Sequence, residues 1–554
     1  MSFRRPRPST AALTLAGILI AGLLLRLWGI RHGLPVVYNL DEYAHFVVTS
    51  VKMFGGGYNP HYFQNPPAYT YLLHVLFAFA YGGVIPTAAG TAVKEAFNGD
   101  PTTLYTIARV TSALLGVAAA GVLYVVGKRL YGTLVGLLAA AFMAFTFLPV
   151  HYSHLALNDV PTLLPLCIGL LGLAGITLRG NLIDYLIAGL GLGLATATKY
   201  TAAALAVSIF IAWLIRVAGN RAALRRELPY LIGSGAVALA AFVVANPFAV
   251  IDAKEFLSGV RRQQRLSAGV SKLGTDDTTG WQYYLWTLTW GFGWIPTALA
   301  AAGAWLALRR DWRKALPFVA FAILVWLFMG KQERFYARWL MPVYPVLAMF
   351  AAYAIVRAIR ATPPRWRMAA GAVLVIAAFA QPLITVIHND RVLTRDDTRD
   401  QAKAWLIDNA GPGSKVAFEL IGPPQYFRKD GVRDGEEIFK LYPLPRGSKV
   451  ERYAQDLSPA RLKIYADQGY CYIVTGSIQK GRAIKSPEKV PGAVAYYKEL
   501  DRTADHLRTF SPMKAGKDVP RFNFDMSYNW YSLDYVRPGP KIDIHRLKTG
   551  RCTE

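Results

Sequence analysis

Asn39-Leu40-Asp41-Glu42-Tyr43-Ala44-His45-Phe46 stands directly behind an apolar run from Ala11 to Ile30. How these eight residues are read depends on that run. Behind a membrane span, they place two adjacent carboxylates, with His45 one helical turn beyond Asp41, at a membrane surface. Taken alone they also fit a capping box, Asn39-x-x-Glu42 ahead of an apolar helical pattern, where acidic residues suit the first turn. Both readings stay open at this level.

The rest of the chain favours the membrane. Of 554 residues 53% are hydrophobic and the mean hydropathy is +0.27, too apolar for a string of soluble domains. Runs near Leu104–Gly127, Thr133–Val150, Leu155–Leu178, Leu182–Thr196, Thr201–Ile215, Leu228–Val250, Leu285–Leu308, Trp312–Met329, Trp339–Val356 and Met368–Ile387 join the first. Together they predict about eleven transmembrane helices, each covering roughly 30 Å of hydrocarbon. Arg4, Arg5 and Arg7 precede the first run, which is longer than a signal-peptide core and lacks an evident small-residue cleavage site. It is expected to be a retained span with a cytoplasmic N-terminus, and Arg26 near its end is expected to snorkel outward.

The net charge of +26 raises the question of nucleic acid. Its distribution answers otherwise. Arg4–Arg7, Lys128-Arg129, Arg221–Arg226, Arg309–Lys314 and Arg357–Arg367 are short tracts between apolar runs, and all fall on the N-terminal side. Segments 31–103, 151–154, 251–284, 330–338 and everything after 388 then lie outside. In the first of these, Tyr43, Phe46, Val47, Ser50, Val51 and Phe54, and again Tyr69, Leu72, Leu73, Leu76 and Phe77, follow helical spacing. They predict helices at the membrane interface or packed on the protein's own spans. Lys415–Glu419, Cys471–Thr475 and Lys541–Ile544 read as strands of an extracytoplasmic α/β domain over 389–554. Cys471 and Cys552 could pair there, whereas Cys167 lies in an apolar run.

Three further elements carry chemistry. Asp159, in His151-Tyr-Ser-His-Leu-Ala-Leu-Asn-Asp-Val-Pro161, sits about one turn inside a span, where an unpaired carboxylate is costly. It could equally be a helix-start acid ahead of Pro161. Lys199, in Thr196-Ala-Thr-Lys-Tyr-Thr201, lies at the break in a run too short for two ideal spans, and needs a partner or a wet cavity. Lys331-Gln-Glu-Arg-Phe-Tyr-Ala-Arg338 places three cations on the outer side, against the charge rule. A bound anion, gripped by arginine's planar fork, or a loop ion-pair set with Glu333 accounts for them.

The order of Asp41-Glu42, then Phe63-x-x-Pro66-Pro67, resembles the protein O-mannosyltransferase family. Leu155-Ala-x-Asn-Asp159, Ala197-Thr-Lys-Tyr-Thr201 and Lys331-x-x-Arg-x-Tyr-x-Arg-x-Leu-x-Pro-x-x-Pro345 are similar to its bacterial relatives, among them the aminoarabinose transferases of lipid A. The resemblance spans residues 10–388, including Asn246-Pro-Phe248 and Asp252. It implies a GT-C membrane glycosyltransferase module over 1–388 that moves a sugar from a polyprenyl-phosphate carrier to a lipid, glycan or protein hydroxyl, with inversion. Asp41 would then be the general base and Glu42 its support, or the two would hold a divalent cation. Asp159 would orient acceptor or sugar. Lys199, Lys331, Arg334, Tyr336 and Arg338 would hold the carrier phosphate, with His45, Asn65, Pro66 and Pro67 completing the substrate site. Asn65 stands where the mannosyltransferases usually have His and the aminoarabinose transferases Lys, so neither sugar is assigned.

Two other classes compete. A transporter or flippase of lipid-linked sugars predicts charges near mid-bilayer and often two matching halves, but here the charges sit at span ends. Asp41-Glu-Tyr-Ala-His45 loosely echoes a His-Glu-x-x-His metalloprotease helix, with aspartate for the first histidine. A non-catalytic assembly protein would tolerate loss of Asp41.

Overall fold

The computed structural model describes residues 9–82, 86–269, 272–275, 278–410, 414–423, 426, 440–441 and 455–553. The basic residues Arg4, Arg5 and Arg7 lie outside them. The chain is a polytopic α-helical membrane protein with a C-terminal domain built on a β-sheet.

Among the described residues, seven helices are long and apolar enough to cross a membrane, or eight if one bent pair is counted as a span. The expected eleven is therefore too many. Runs of apolar sequence do not report where a helix bends or stops. Thr133–Phe145 and Phe147–His154 are bent by 56° at Thr146. Leu163–Leu178 and Leu182–Thr198 are only 16 and 17 residues long. The two spans expected over 285–329 fall in one helical stretch, Trp294–Gly330 and the turns before it, broken by extended backbone at Asp311.

The two short helices pack tightly on each other because their contact is lined by glycine. A Cβ on Gly172 would lie 2.2 Å from the Ala188 nitrogen, and one on Gly191 would lie 2.1 Å from the Gly169 nitrogen. Such close backbone approach is the usual means of gluing apolar helices in lipid.

Arg26 corrects another expectation. It does not snorkel but is fully buried. Its guanidinium donates to the carbonyls of Met143 and Ala144 at 2.8 Å each, to Gly22 O at 2.8 Å, and to Ser153 Oγ at 3.1 Å. Those carbonyls close the helix that stops at the bend, and the last turn of any helix leaves its C=O groups without partners. The arginine caps the break.

The first long loop forms the helices Leu40–Ala44, Phe46–Gly56, Ala68–Ala80 and Pro86–Gly99. Phe46, Val47, Val51, Phe54, Tyr69, Leu73 and Phe77 are buried in the same apolar core as the spans. This loop packs on its own bundle.

The last long helix, Arg367–Leu393, leads into the C-terminal domain. Its strands are β1 (Lys415–Phe418), β2 (Lys440–Leu441), β3 (Tyr472–Gly476), β4 (Ala504–Phe510) and β5 (Ile542–Leu547). The sheet order is β2-β1-β3-β5-β4, with β1 parallel to both its neighbours and β5 antiparallel to both of its own. Helices Thr398–Ala410, Pro459–Asp467, Ser477–Lys485 and Pro491–Thr503 accompany it, and Cys471 is bonded to Cys552.

Candidate active site

Asn39 starts the site. Its side-chain oxygen accepts from the backbone N–H of Asp41 and of Glu42, at 3.1 Å each, so the capping is done by Asn39 itself. The helix Leu40–Ala44 is a single turn that ends at His45. Neighbouring residues on a helix diverge by about 100°, so the two carboxylates of this turn cannot face one place.

Asp41 faces a cavity of about 190 Å³ and its side chain is 46% exposed. Glu42 points the other way, into the bundle, and is fully buried. Both its oxygens are held by Arg109, and the Ala156 N–H donates to one of them at 2.8 Å. Arg109 in turn donates to the carbonyls of Ile30 and His32. Glu42 is thus occupied as a lock between the first loop, the helix Thr102–Tyr131 and the backbone at Ala156.

The cavity collects most of the other expected residues: His45, Asn65, Asp159, Lys199, Arg334, Tyr336 and Arg338. Arg338 donates to Asp41 and lies 3.7 Å from Asp159. Asp159 is also paired with the buried Lys199, which caps the helix Leu182–Thr198 in extended backbone. Two carboxylates therefore alternate with two cations. Burial raises the Asp41 carboxyl, but the charge and hydrogen bond of Arg338, aided by His45 and Lys272, hold it below the usual carboxylate range. His45, stacked on Tyr62 at 4.7 Å, has its pKa lowered by burial despite Asp41 beside it.

Besides Glu42, three expected residues are not in the cavity lining. Lys331 is exposed at the end of the helix Trp294–Gly330. Pro66 and Pro67 are buried, and Pro67 starts the helix Ala68–Ala80. Beside them Asn65 lines the cavity and donates to the Tyr62 hydroxyl at 2.7 Å. Among the described residues Glu333 makes no ion pair with Lys331, Arg334 or Arg338. The N–H groups of Glu333 and Arg334 donate to Ser267 O at 2.9 and 3.1 Å, and that of Ala337 to Asp525 at 2.9 Å.

The cavity also holds residues that sequence reasoning missed, chiefly Lys272, Tyr62, Gln263 and Asn158. One signal for Lys272 was available. Segment 251–284, expected outside, carries Lys254, Arg261, Arg262, Arg265 and Lys272, against the charge rule.

The divalent cation expected on Asp41 and Glu42 does not fit this arrangement. The two carboxylates diverge, Glu42 is taken by Arg109 and a backbone N–H, and Asp41 is paired with Arg338. Among the described residues no three His, Cys, Asp or Glu side chains converge as a metal site.

Residues 104–246 match the family profile described as dolichyl-phosphate-mannose-protein mannosyltransferase. No curated protein sequence matches the chain. Among solved structures, the oligosaccharyltransferase of Archaeoglobus fulgidus in its apo form superposes with a TM-score of 0.53 at 12% identity, covering 91% of this chain and 74% of its own. The same archaeon's AglB, in complex with an inhibitory peptide and a dolichol-phosphate, gives 0.50 at 13% identity over 92% and 74%. ArnT from Cupriavidus metallidurans bound to undecaprenyl phosphate gives 0.50 at 15% identity over 97% and 98%. The chain has the GT-C fold of these proteins and resembles the polyprenyl-phosphate-dependent membrane glycosyltransferases.

Proposed function

We propose that the protein is an integral-membrane inverting glycosyltransferase that moves a sugar from a polyprenyl-phosphate carrier to an acceptor hydroxyl at the external membrane face. The observation that carries this reading is the charge pattern of the cavity. Its lining has two carboxylates, Asp41 and Asp159, against four cations, Lys199, Lys272, Arg334 and Arg338. Cations gathered on one cavity suit a phosphate that leaves as a dianion.

The reaction is a single displacement. The acceptor oxygen attacks the anomeric carbon while Asp41 takes its proton; the bond from that carbon to the phosphate oxygen breaks, and its electron pair leaves with the phosphate. The carrier begins as a singly charged diester and departs as a monoester with one more negative charge, which Arg338 and its neighbours neutralise. Asp41 paired with Arg338 is a weak base. Carrier phosphate drawing Arg338 to itself leaves Asp41 free to act, so donor binding and base activation are one event. Asp159, held by Lys199, orients the sugar or acceptor. In this reading the N-terminus is cytoplasmic and the sheet domain extracytoplasmic, in accord with the placement of the basic tracts and the Cys471–Cys552 bond. Donor sugar and acceptor, whether lipid, glycan or protein, are read out by experiment.

The experiment is a mass-spectrometric profile of polyprenyl-phosphate lipids in cells with the native protein, without it, and with Asp41→Asn. One lipid-linked sugar accumulating in both altered strains names the donor and supports Asp41 as base. Accumulation in the deletion alone keeps the enzyme and moves the base to Asp159. An unchanged pool in both defeats the reading and favours a transporter.

A further inference from the structure

Lys272 reaches the cavity from a loop whose very next residue belongs to the other domain. The helix Ala253–Ala268 contributes Gln263, Leu266 and Ser267 to the cavity wall, and Lys272 follows it. Leu273, 6% exposed, sits in the core of the C-terminal domain with Ala417, Leu457, Tyr465 and Ile473. The Arg482 side chain donates to Leu273 O at 3.0 Å, and the Gly274 N–H donates to Ser486 Oγ at 3.2 Å. Gly274 has φ +85°, and a Cβ there would lie 3.0 Å from the Phe522 ring. Only glycine enters this slot without displacing its neighbours.

Successive Cα atoms are 3.8 Å apart, so seating Leu273 also fixes where Lys272 begins. The same domain fixes where it ends. The Lys272 ammonium lies 5.4 Å from the ring centre of Tyr336, a cavity residue, and 5.7 Å from that of Phe524, a C-terminal one. Tyr336 and Phe524 meet edge to face at 5.8 Å. Two aromatic faces hold the charge in place while leaving it positive. Its field reaches Asp41.

We propose that the C-terminal domain completes the donor site: by seating Leu273 it fixes Lys272 as a cation for the carrier phosphate. Lys272 is the binding residue and Leu273 a positioning residue acting through it. The proposal rests on the glycosyl-transfer reading above.

The test measures the affinity of the full chain in lipid nanodiscs for undecaprenyl phosphate. Loss of one charge-assisted contact to phosphate corresponds to roughly a 10-fold weakening. Lys272→Gln and Leu273→Ala are each expected to show it, and the double variant is expected to bind no worse than Lys272→Gln alone. That coupling is what a merely structural leucine would not produce. Affinity unchanged in Leu273→Ala, or losses that multiply to about 100-fold in the double variant, overturns the proposal. If Leu273→Ala does not fold, Ser486→Ala loosens the same anchor without opening the core. It is expected to weaken binding in the native background and not in Lys272→Gln, and no effect in either overturns the proposal. Undiminished binding by both Arg338→Gln and Lys272→Gln is a different failure: it removes the lipid-phosphate reading itself.

Discussion

Arg109 grips Glu42 by both carboxylate oxygens, Nε to Oε1 at 2.7 Å and Nη2 to Oε2 at 2.8 Å, and neither side chain reaches solvent. A buried charge left without its partner costs about 3–5 kcal/mol. Glu42→Gln is therefore expected to lower the thermal unfolding midpoint sharply, visible by differential scanning fluorimetry in detergent. A Glu42→Gln protein of native stability but no turnover would instead give Glu42 the catalytic supporting role.

The pair of Asp41 and Arg338 predicts a pH dependence. Asp41 has a folded pKa below its unfolded value, so its contribution to stability is complete above the unfolded value of about 3.9 and is lost as pH falls through the folded one. The difference in unfolding midpoint between native protein and Asp41→Asn is expected to stay constant from pH 7 down to about 5 and to shrink below about 4. A difference already gone between pH 6 and 5 would mean that the carboxyl is raised, and that Arg338 does not hold it.

Much of this site was legible because local rules mark it. Asp41, Asp159, Arg334 and Arg338 are charges at span ends, and hydropathy with the positive-inside trend singles them out. What was illegible depends on partners far along the chain. Arg109 reads only as a charge in an apolar run, because its acid is 67 residues away. Asp525 touches the Arg338 loop across 188 residues and leaves no local mark. Which of Asp41 and Glu42 turns into the bundle is decided by Arg109, 67 residues from Glu42. The span count failed for a similar reason. Hydropathy sums apolarity along the chain but is blind to the bend that Arg26 caps and to the glycine contacts that let 16-residue helices pack.

Lys199 and Asp159 are a buried pair, 9% and 5% exposed at the side chain. Lys199→Met leaves Asp159 with Arg338 alone, at 3.7 Å, and is expected to destabilise by about 3 kcal/mol. The double variant Lys199→Met, Asp159→Asn removes both charges and is expected to regain most of that stability, because neutral replacement of a whole buried pair is often tolerated. Turnover is expected to remain absent in both. Recovery of transfer together with stability in the double variant would show that the pair serves the fold alone.

Cys471 enters the sheet just before β3, and Cys552 lies 81 residues on. Closing a loop of that length in the unfolded chain corresponds to about 4–5 kcal/mol in the chain-entropy account. Cys552 is buried in the same apolar cluster as Leu273, so the bond and the anchor of Lys272 share one core. Replacing both cysteines by serine is expected to lower the unfolding midpoint of the C-terminal domain. It is also expected to weaken undecaprenyl phosphate binding at temperatures where that domain begins to open, while binding at low temperature stays native. A binding loss that ignores temperature would tie the bond to the cavity directly; binding that survives melting of the domain would separate the sheet from the donor site.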